Sequence, residues 1–172
     1  ILVGTHWRFN VEQPFQMPPS DDFHPAMLRR FQALPDSPES HPVRLRFATA
    51  NVMTMFPGQD FASGYLGARA EALADQFMNE RLHVIGLQET RARMTGHSFF
   101  QQFHVLSGPA TARGQGGIQL WLRKSIPTSG GTIDIDTTDF RILHATSRRL
   151  LVRWAHPGCK LLFLVVHAPS DD

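Results

Sequence analysis

Short runs of residues that alternate between apolar and other side chains constrain this fold most. The clearest run covers residues 117–123, where Ile118, Leu120 and Leu122 recur at every second position. Because successive side chains of a strand point to opposite faces, this run predicts a strand with one buried side. Runs at 45–50, 83–87, 103–106, 150–154 and 160–166 predict further strands, the last two joined into a hairpin by a turn at 155–158.

One segment has a different period. Residues 66–82 place Leu66, Ala70, Leu73, Phe77 and Leu82 near helical spacing, with charged residues off that stripe. This pattern predicts an amphipathic helix that covers a sheet. One early helix followed by several short strands predicts a mixed α+β fold whose sheet is covered on both faces.

The prolines indicate where the folded domain begins. Seven of the twelve lie in the first 44 residues, and no sustained strand or helix period runs between them. We therefore predict a proline-rich linker or disordered head over residues 1–43 and a folded domain over 44–172. The chain begins at Ile1 rather than at methionine, which indicates an excerpt of a longer protein.

Composition excludes several classes of protein. The one cysteine, Cys159, excludes an internal disulfide and a multi-cysteine zinc site. No apolar run approaches the roughly 18 residues of a membrane helix, and no signal peptide is present, so an intracellular protein without a membrane partner is expected. Residues 91–160 contain ten Lys or Arg against three Asp. That stretch is either a solvated basic face or a contact surface for an anionic partner.

Three polar residues each follow an apolar strand run: Asn51, Glu89 and His167. Singly, each has an ordinary explanation: an Asx turn, a solvated carboxylate and a surface histidine, respectively. Together they suit phosphodiester hydrolysis. Glu89 is a hard oxygen ligand for Mg²⁺ or Mn²⁺, Asn51 can orient a phosphate, and His167 can donate a hydrogen bond to a phosphoryl oxygen.

A glycine-rich loop at 112–117 allows backbone to approach a ligand, and Arg113 within it is a candidate phosphate clamp. The loop lacks the Lys-Ser/Thr pair and the strand-then-helix context of a nucleotide-binding P-loop. An ATPase and a bound nucleotide cofactor are therefore not expected.

Four segments, in order, carry a resemblance to a known superfamily. They are Ala48-Thr49-Ala50-Asn51, then Val84-Ile85-Gly86-Leu87-Gln88-Glu89-Thr90-Arg91, then Arg113-Gly114-Gln115-Gly116-Gly117-Ile118, then Leu164-Val165-Val166-His167-Ala168-Pro169. This order resembles the endonuclease/exonuclease/phosphatase superfamily, the group of DNase I, apurinic endonucleases and retrotransposon endonucleases. The Gln-Glu-Thr strand end is the most specific part of the resemblance. The residues of these motifs are most similar to those in endonuclease domains of non-LTR retrotransposons.

The resemblance covers roughly residues 45–172 and implies a four-layered α/β/β/α sandwich, of which this chain would hold about the N-terminal half. It implies that Glu89 and Asn51 serve the metal site, with Mg²⁺ or Mn²⁺ as cofactor, and that His167 contacts phosphate. Arg91, Arg113 and Arg149 are looser matches, as contacts to the phosphate backbone of a nucleic acid, DNA more than RNA. The expected activity is that of a metal-dependent DNA-nicking endonuclease.

The chain also departs from the family's pattern. After the His strand the superfamily has an Asp-Xaa-Asn and later an Asp-His pair, and this chain stops at Asp172 without either. The isolated fragment is therefore expected to have little or no catalytic activity. Two alternatives stay open: a phosphatase or deadenylase of the same superfamily, and a catalytically dead nucleic-acid-binding remnant. A retroelement protein would act on nuclear DNA, although the chain has no basic nuclear-localisation run.

Overall fold

The structure, a computed structural model, describes residues 44–53, 55, 67–128, 131–156 and 159–168, together with the backbone of Leu2–Val3. The predicted linker at 1–43 otherwise lies outside the described residues, as do residues 157–158 of the turn predicted at 155–158. In chain order the strands are β1 (Leu2–Val3), β2 (Phe47–Asn51), β3 (Val84–Gln88), β4 (Gly96–Phe100), β5 (Phe103–Ala110), β6 (Gly116–Arg123), β7 (Ser125–Thr128), β8 (Gly131–Asp134), β9 (Phe140–Ala145), β10 (Arg149–His156) and β11 (Cys159–Val166). Helix α1 is Ala68–Asn79, and a single 3-10 turn covers Thr137–Asp139.

The strands form two main sheets and a small ribbon. The larger sheet has six strands in the order β1-β2-β3-β6-β5-β4, in which β2 and β3 are parallel and the other neighbours are antiparallel. The second sheet has three antiparallel strands in the order β11-β10-β9, and β7 pairs with β8. The parallel pair puts the carboxyl ends of β2 and β3 at the same edge of the six-stranded sheet.

Helix α1 covers one face of the six-stranded sheet, as its amphipathic pattern predicts. Ala70, Ala74 and Phe77 of the helix are buried in one apolar cluster with Trp121 of β6. The Phe77 and Trp121 rings meet edge to face with centroids 5.8 Å apart. The helix ends in a Schellman motif, since the N–H of Leu82 donates to the Phe77 carbonyl at 2.9 Å and brings Leu82 into the core.

A second apolar cluster fills the space between the two sheets. Ile118, Leu120 and Leu122 of β6 pack there with Val152 and Trp154 of β10. Strand β6 is therefore buried on both faces, because Trp121 faces the helix and Leu120 faces the other sheet. The prediction that this strand has one buried side was wrong. The second sheet covers the side of Leu120 that was expected to be buried, and helix α1 covers the opposite side, that of Trp121.

The predicted four-layered α/β/β/α sandwich is also wrong. Of the described residues, 56% lie in strands and 14% in helices, and α1 is their one α-helix. From residue 96 to 166 the described residues form strands and one 3-10 turn, and none of them forms an α-helix on the outer face of the three-stranded sheet, where Leu162 and Leu164 are exposed. The described architecture is mostly β: two sheets pack face to face, and one helix covers the outer face of the six-stranded sheet. No helix among the described residues is long and apolar enough to cross a membrane.

A buried histidine ties the start of β2 to its neighbours. The Nδ1 atom of His83 accepts a hydrogen bond from the N–H of Arg46 at 2.9 Å, and the His83 carbonyl accepts one from the N–H of Arg123 at 2.8 Å. Burial, followed by the charges of Arg123 and Arg46, lowers the pKa of His83 from 6.5 to about 4. The folded protein therefore holds this imidazole neutral.

The helix-to-sheet contact should dominate stability on that face. We expect Phe77→Ala to lower the free energy of unfolding by about 3–5 kcal/mol, because it removes a buried ring and leaves a cavity against Trp121. Gln76→Ala, an exposed neighbour on the same helix, should change it by less than about 0.5 kcal/mol. Urea denaturation of both variants checks this. Equal effects would contradict the described packing of α1.

His83 should make stability depend on pH. Its pKa is lower in the folded chain than in the unfolded chain, so below pH 6.5 the unfolded state binds the proton first. Stability should be full above pH 6.5 and fall toward pH 4, by about 1–3 kcal/mol from this group. Denaturation at several pH values should give a shallower slope for His83→Gln, whose amide oxygen can accept the Arg46 N–H. An unchanged slope would contradict this assignment.

Candidate functional site

Glu89 and His167 come together where the two main sheets meet at their ends. Glu89 follows the last residue of β3 in the six-stranded sheet, and His167 follows the last residue of β11 in the three-stranded sheet. The Nε2 atom of His167 lies 3.3 Å from Oε1 of Glu89, and the two side chains are 22% and 28% exposed, respectively. A carboxylate and an imidazole that lie far apart in the sequence are thus paired at a solvent-accessible position.

The backbone around Glu89 adopts an unusual conformation. Glu89 and Arg91 have φ of 54° and 56°, and Met53 in the adjacent segment has φ of 56°. Non-glycine residues rarely occupy this left-handed region, and each such residue costs about 1–2 kcal/mol. Strained backbone of this kind persists where surrounding contacts hold it, and it occurs often at functional sites.

Hydrogen bonds from two neighbouring segments hold this backbone in place. The N–H groups of Thr90 and Arg91 donate to the carbonyls of Gly117 and Gly116, at 3.0 and 2.9 Å. The Thr90 carbonyl accepts from the N–H of Met55 at 3.0 Å. The orientation of Glu89 therefore depends on the glycines that begin β6 as well as on β3.

Position 117 requires glycine because its backbone lies very close to the backbone of Thr90 and Arg91. Its φ is +85°, and a Cβ atom there would lie 2.9 Å from the Arg91 nitrogen and 2.9 Å from Oγ1 of Thr90. Its N–H donates to the carbonyl of Ser147, in the connection between β9 and β10, at 2.9 Å. The glycine-rich loop thus joins the Glu89 segment to the second sheet, a role that its sequence did not reveal.

His167 is positioned by the same connection between β9 and β10. Its N–H donates to the carbonyl of Arg148 at 3.0 Å, which holds the residue just past the end of β11. Its Nδ1 atom is buried and has no hydrogen-bond partner among the described residues. With a hydrogen on Nε2, the ring can donate to Glu89 and leave Nδ1 as a bare acceptor.

Asn51 lies beside this pair but is already engaged. Its Cα is in register with that of Gln88, the residue before Glu89, so it stands at the same edge of the sheet. Its Oδ1 atom accepts a hydrogen bond from the N–H of Met53 at 3.0 Å, which is the Asx turn that its position also predicted. An amide oxygen has a second lone pair, so it can accept or ligate once more.

Sequence reasoning missed a polar contact next to Asn51. The side-chain amide of Gln88 donates to Oγ1 of Thr49 at 2.7 Å, across the parallel pair of strands. Alternation along each strand puts both side chains on one face, but nothing in the sequence gives the register between the strands. The contact braces the ends of β2 and β3 against each other.

The predicted phosphate-contact arginines are placed at different distances from this pair. Arg91 is two residues from Glu89, and Arg149 is paired in register with Val166, the residue before His167. Both side chains are exposed. Arg113 lies in the turn between β5 and β6, and within the described chain it makes no hydrogen bond or ion pair with Glu89 or His167. Arg148, exposed and adjacent to His167 through its carbonyl, was not predicted.

The donor set fits a small hard cation only in part. Among the described residues, no group of three or more His, Cys, Asp or Glu side chains could hold a metal ion. Mg²⁺ and Mn²⁺ need fewer protein ligands, however, because one or two carboxylates, water and substrate phosphate complete their coordination. Glu89 supplies one carboxylate, and Asn51, whose Cα is in register with that of Gln88, supplies an amide oxygen at the same edge of the sheet.

A second histidine pair, which was not predicted, lies on β4 and β5 of the six-stranded sheet and packs against Phe140 of the second sheet. Nε2 of His104 lies 2.8 Å from the carbonyl of Ile135, and its Nδ1 lies 3.2 Å from Nε2 of His97. Since the carbonyl only accepts, His104 carries its hydrogen on Nε2 and accepts the hydrogen of His97. Burial lowers the pKa of both histidines.

Comparison with known proteins adds no identification. No model of a protein family matches the chain, and no curated protein sequence matches it. The roles of the site residues consequently stay predictions that rest on geometry and on the resemblance of the motifs.

The close approach at Gly117 can be tested against a matched glycine. Gly114 also has a positive φ, +75°, but a Cβ atom there would meet nothing within 4 Å. We expect Gly114→Ala to cost about 1 kcal/mol from backbone strain alone, and Gly117→Ala to cost about 2–4 kcal/mol because the methyl group also displaces the Thr90–Arg91 backbone. Thermal denaturation compares the two. Equal losses would show that the contact with Thr90 and Arg91 is not tight.

Proposed function

We propose that the chain belongs to a metal-dependent phosphodiesterase that nicks DNA, and that Glu89, His167 and Asn51 form its reactive edge. The observation that carries the proposal is the pairing of Glu89 with His167 at 3.3 Å on strained backbone. A structural role alone does not require a partly exposed carboxylate and imidazole to meet where two sheets join at their ends.

Each residue has a distinct chemical task under this proposal. Glu89, with Asn51 beside it, would hold Mg²⁺ or Mn²⁺, and the cation would neutralise charge that develops on the phosphate. Nε2–H of His167 would donate to a phosphoryl oxygen once the substrate displaces its contact with Glu89. Preorganised donors of this kind stabilise a transition state without further rearrangement, and removal of one costs about 10²–10³ in rate.

The basic residues around the pair suit a polyanionic substrate. Three exposed arginines lie near the pair. Arg91 is two residues from Glu89, Arg148 accepts a hydrogen bond from the N–H of His167 through its carbonyl, and Arg149 is paired with Val166, the residue before His167. Arginine binds phosphate oxygens through a planar fork of donors. A nucleic-acid backbone, which repeats its phosphates, can engage several of them at once, whereas a small phosphoester engages one.

Metal binding by the full chain tests the proposal directly. In the presence of a short DNA duplex we expect Mn²⁺ to bind, and Glu89→Gln to weaken that binding at least about tenfold, because the amide loses the negative charge. Glu71→Gln, the same change on the exposed side of α1, is the control and should bind as the unmodified chain does. Isothermal titration calorimetry provides the affinities.

Nicking of supercoiled plasmid is the second measurement. Whatever metal-dependent nicking the chain shows should fall about 10²–10³-fold in Glu89→Gln and in His167→Ala, and should survive in Glu71→Gln. Unchanged Mn²⁺ affinity in Glu89→Gln, or nicking that survives that change, would refute the assignment of the metal site.

A nucleic-acid-binding protein without catalysis is the second candidate. It is favoured by one observation, that the described residues contain no group of three metal-ligating acids, histidines or cysteines. This candidate predicts DNA binding that needs no divalent ion and tolerates Glu89→Gln. Arg148→Ala should then weaken binding and reduce the slope of log K against log salt by about 1, a result that both candidates share.

A further inference from the structure

The outer face of the three-stranded sheet, directed away from the six-stranded sheet, is unusually apolar. Along β11 the side chains of Leu162, Leu164 and Val166 are 57%, 62% and 47% exposed, and Leu143 of β9 is 46% exposed. Alternate residues of a strand lie about 6.7 Å apart, so the β11 row runs for about 13 Å. Single exposed aliphatic residues are common, but a contiguous row of three marks an interaction surface.

The same face is positively charged. Arg149 is paired with Val166, Arg153 with Leu162 and Lys160 with Ala155, so the cations stand beside the apolar row. None of the strands β9, β10 and β11 contains Asp or Glu. Among the described residues no ion pair neutralises these cations, and we call this surface, with its apolar row, the cationic outer face.

One pairing within this face is unfavourable unless an anion is present. Arg153 and Arg141 are direct cross-strand partners, and both are exposed. Like charges placed directly opposite each other destabilise a pair of strands. A carboxylate of a bound partner, placed over the two guanidinium groups, would offset that repulsion. The arginine pair therefore indicates that the partner is negatively charged.

We propose that the cationic outer face binds an acidic amphipathic helix of a partner protein. Apolar side chains at every fourth position of a helix repeat at about 6 Å, which matches the spacing of Leu162, Leu164 and Val166. Glu or Asp on the flank of that helix would lie over Arg153 of β10, one strand away, and over Arg141 of β9, two strands away. Burial of the apolar row would supply affinity, and the charges would supply selectivity.

Other occupants fit this surface less well. A second copy of the chain would bring cations against cations. A nucleic-acid backbone offers phosphates to the arginines but no apolar surface for the row of Leu162, Leu164 and Val166. A membrane interface favours Trp and Tyr, and the outward-facing residues of these strands are aliphatic, basic or His144.

A designed peptide provides the test on the full chain. The probe is a fluorescent peptide of about 18 residues, long enough to form a helix, with Leu at every fourth position and Glu on both flanks. We expect saturable binding with Kd below about 1 mM in fluorescence anisotropy. Leu164→Ser and Arg153→Glu should each weaken it at least about tenfold, and a peptide with Lys in place of Glu should not bind.

Matched control variants separate this surface from general effects. Met94→Ser removes an exposed apolar side chain elsewhere, and Arg69→Glu reverses an exposed charge on α1; both should bind the probe as the unmodified chain does. All four substitutions are at exposed positions, and thermal denaturation verifies that each variant is folded. None of them alters Glu89, Asn51 or His167, so the result is independent of the proposed nuclease activity.

Several results would overturn the proposal. They are absence of saturable binding by the Glu peptide, equal binding by the Lys peptide, and binding that both Leu164→Ser and Arg153→Glu leave unchanged. Self-association that Leu164→Ser abolishes would assign the face to a second copy. Loss of binding to phosphatidylserine vesicles or to duplex DNA in both variants would assign it to a membrane or to nucleic acid.

Discussion

Burial of strand β6 on both faces is the constraint on which the described structure depends. Trp121 packs against helix α1, while Ile118, Leu120 and Leu122 pack against the second sheet. Because side chains of a strand alternate between faces, one eight-residue segment joins the helix and both main sheets into continuous packing. The glycines that begin this strand then bring its backbone against the Glu89 segment.

The geometry of the candidate site depends on the packing of the two sheets against each other. Glu89 belongs to one sheet and His167 to the other, so their separation of 3.3 Å exists only while the two sheets are packed together. Gly117 contributes on both sides, since its carbonyl accepts from Thr90 and its N–H donates to Ser147. Main-chain hydrogen bonds thus support the conformation of the candidate site, and of the residues that make these two bonds only Gly117 is fixed by its residue type.

Local sequence patterns predicted the helix and six of the strands, and they failed for short strands and for the layer arrangement. The helix predicted at 66–82 is observed as Ala68–Asn79, and the hairpin strands predicted at 150–154 and 160–166 are observed as longer strands. Strands β1, β4, β7, β8 and β9 were not predicted, because their short runs lack a clear apolar alternation. The last four pair with a strand adjacent in the sequence, so it is the weak pattern of each run, and not a distant partner, that hid them. The four-layered sandwich came from the resemblance of motifs, and the absence of a described helix on the outer face overturned it.

By itself the sequence determined the period of its segments, the placement of Asn51, Glu89 and His167 at strand ends, and the basic character of residues 91–160. Those properties follow from side-chain order and need no knowledge of neighbours. Only the tertiary structure decided which strands are adjacent, that Glu89 meets His167, that Asn51 forms an Asx turn, and that Leu162, Leu164 and Val166 remain exposed beside Arg149 and Arg153. The physical reason is that register and sheet-to-sheet packing depend on burial summed over many distant residues, which no single segment encodes.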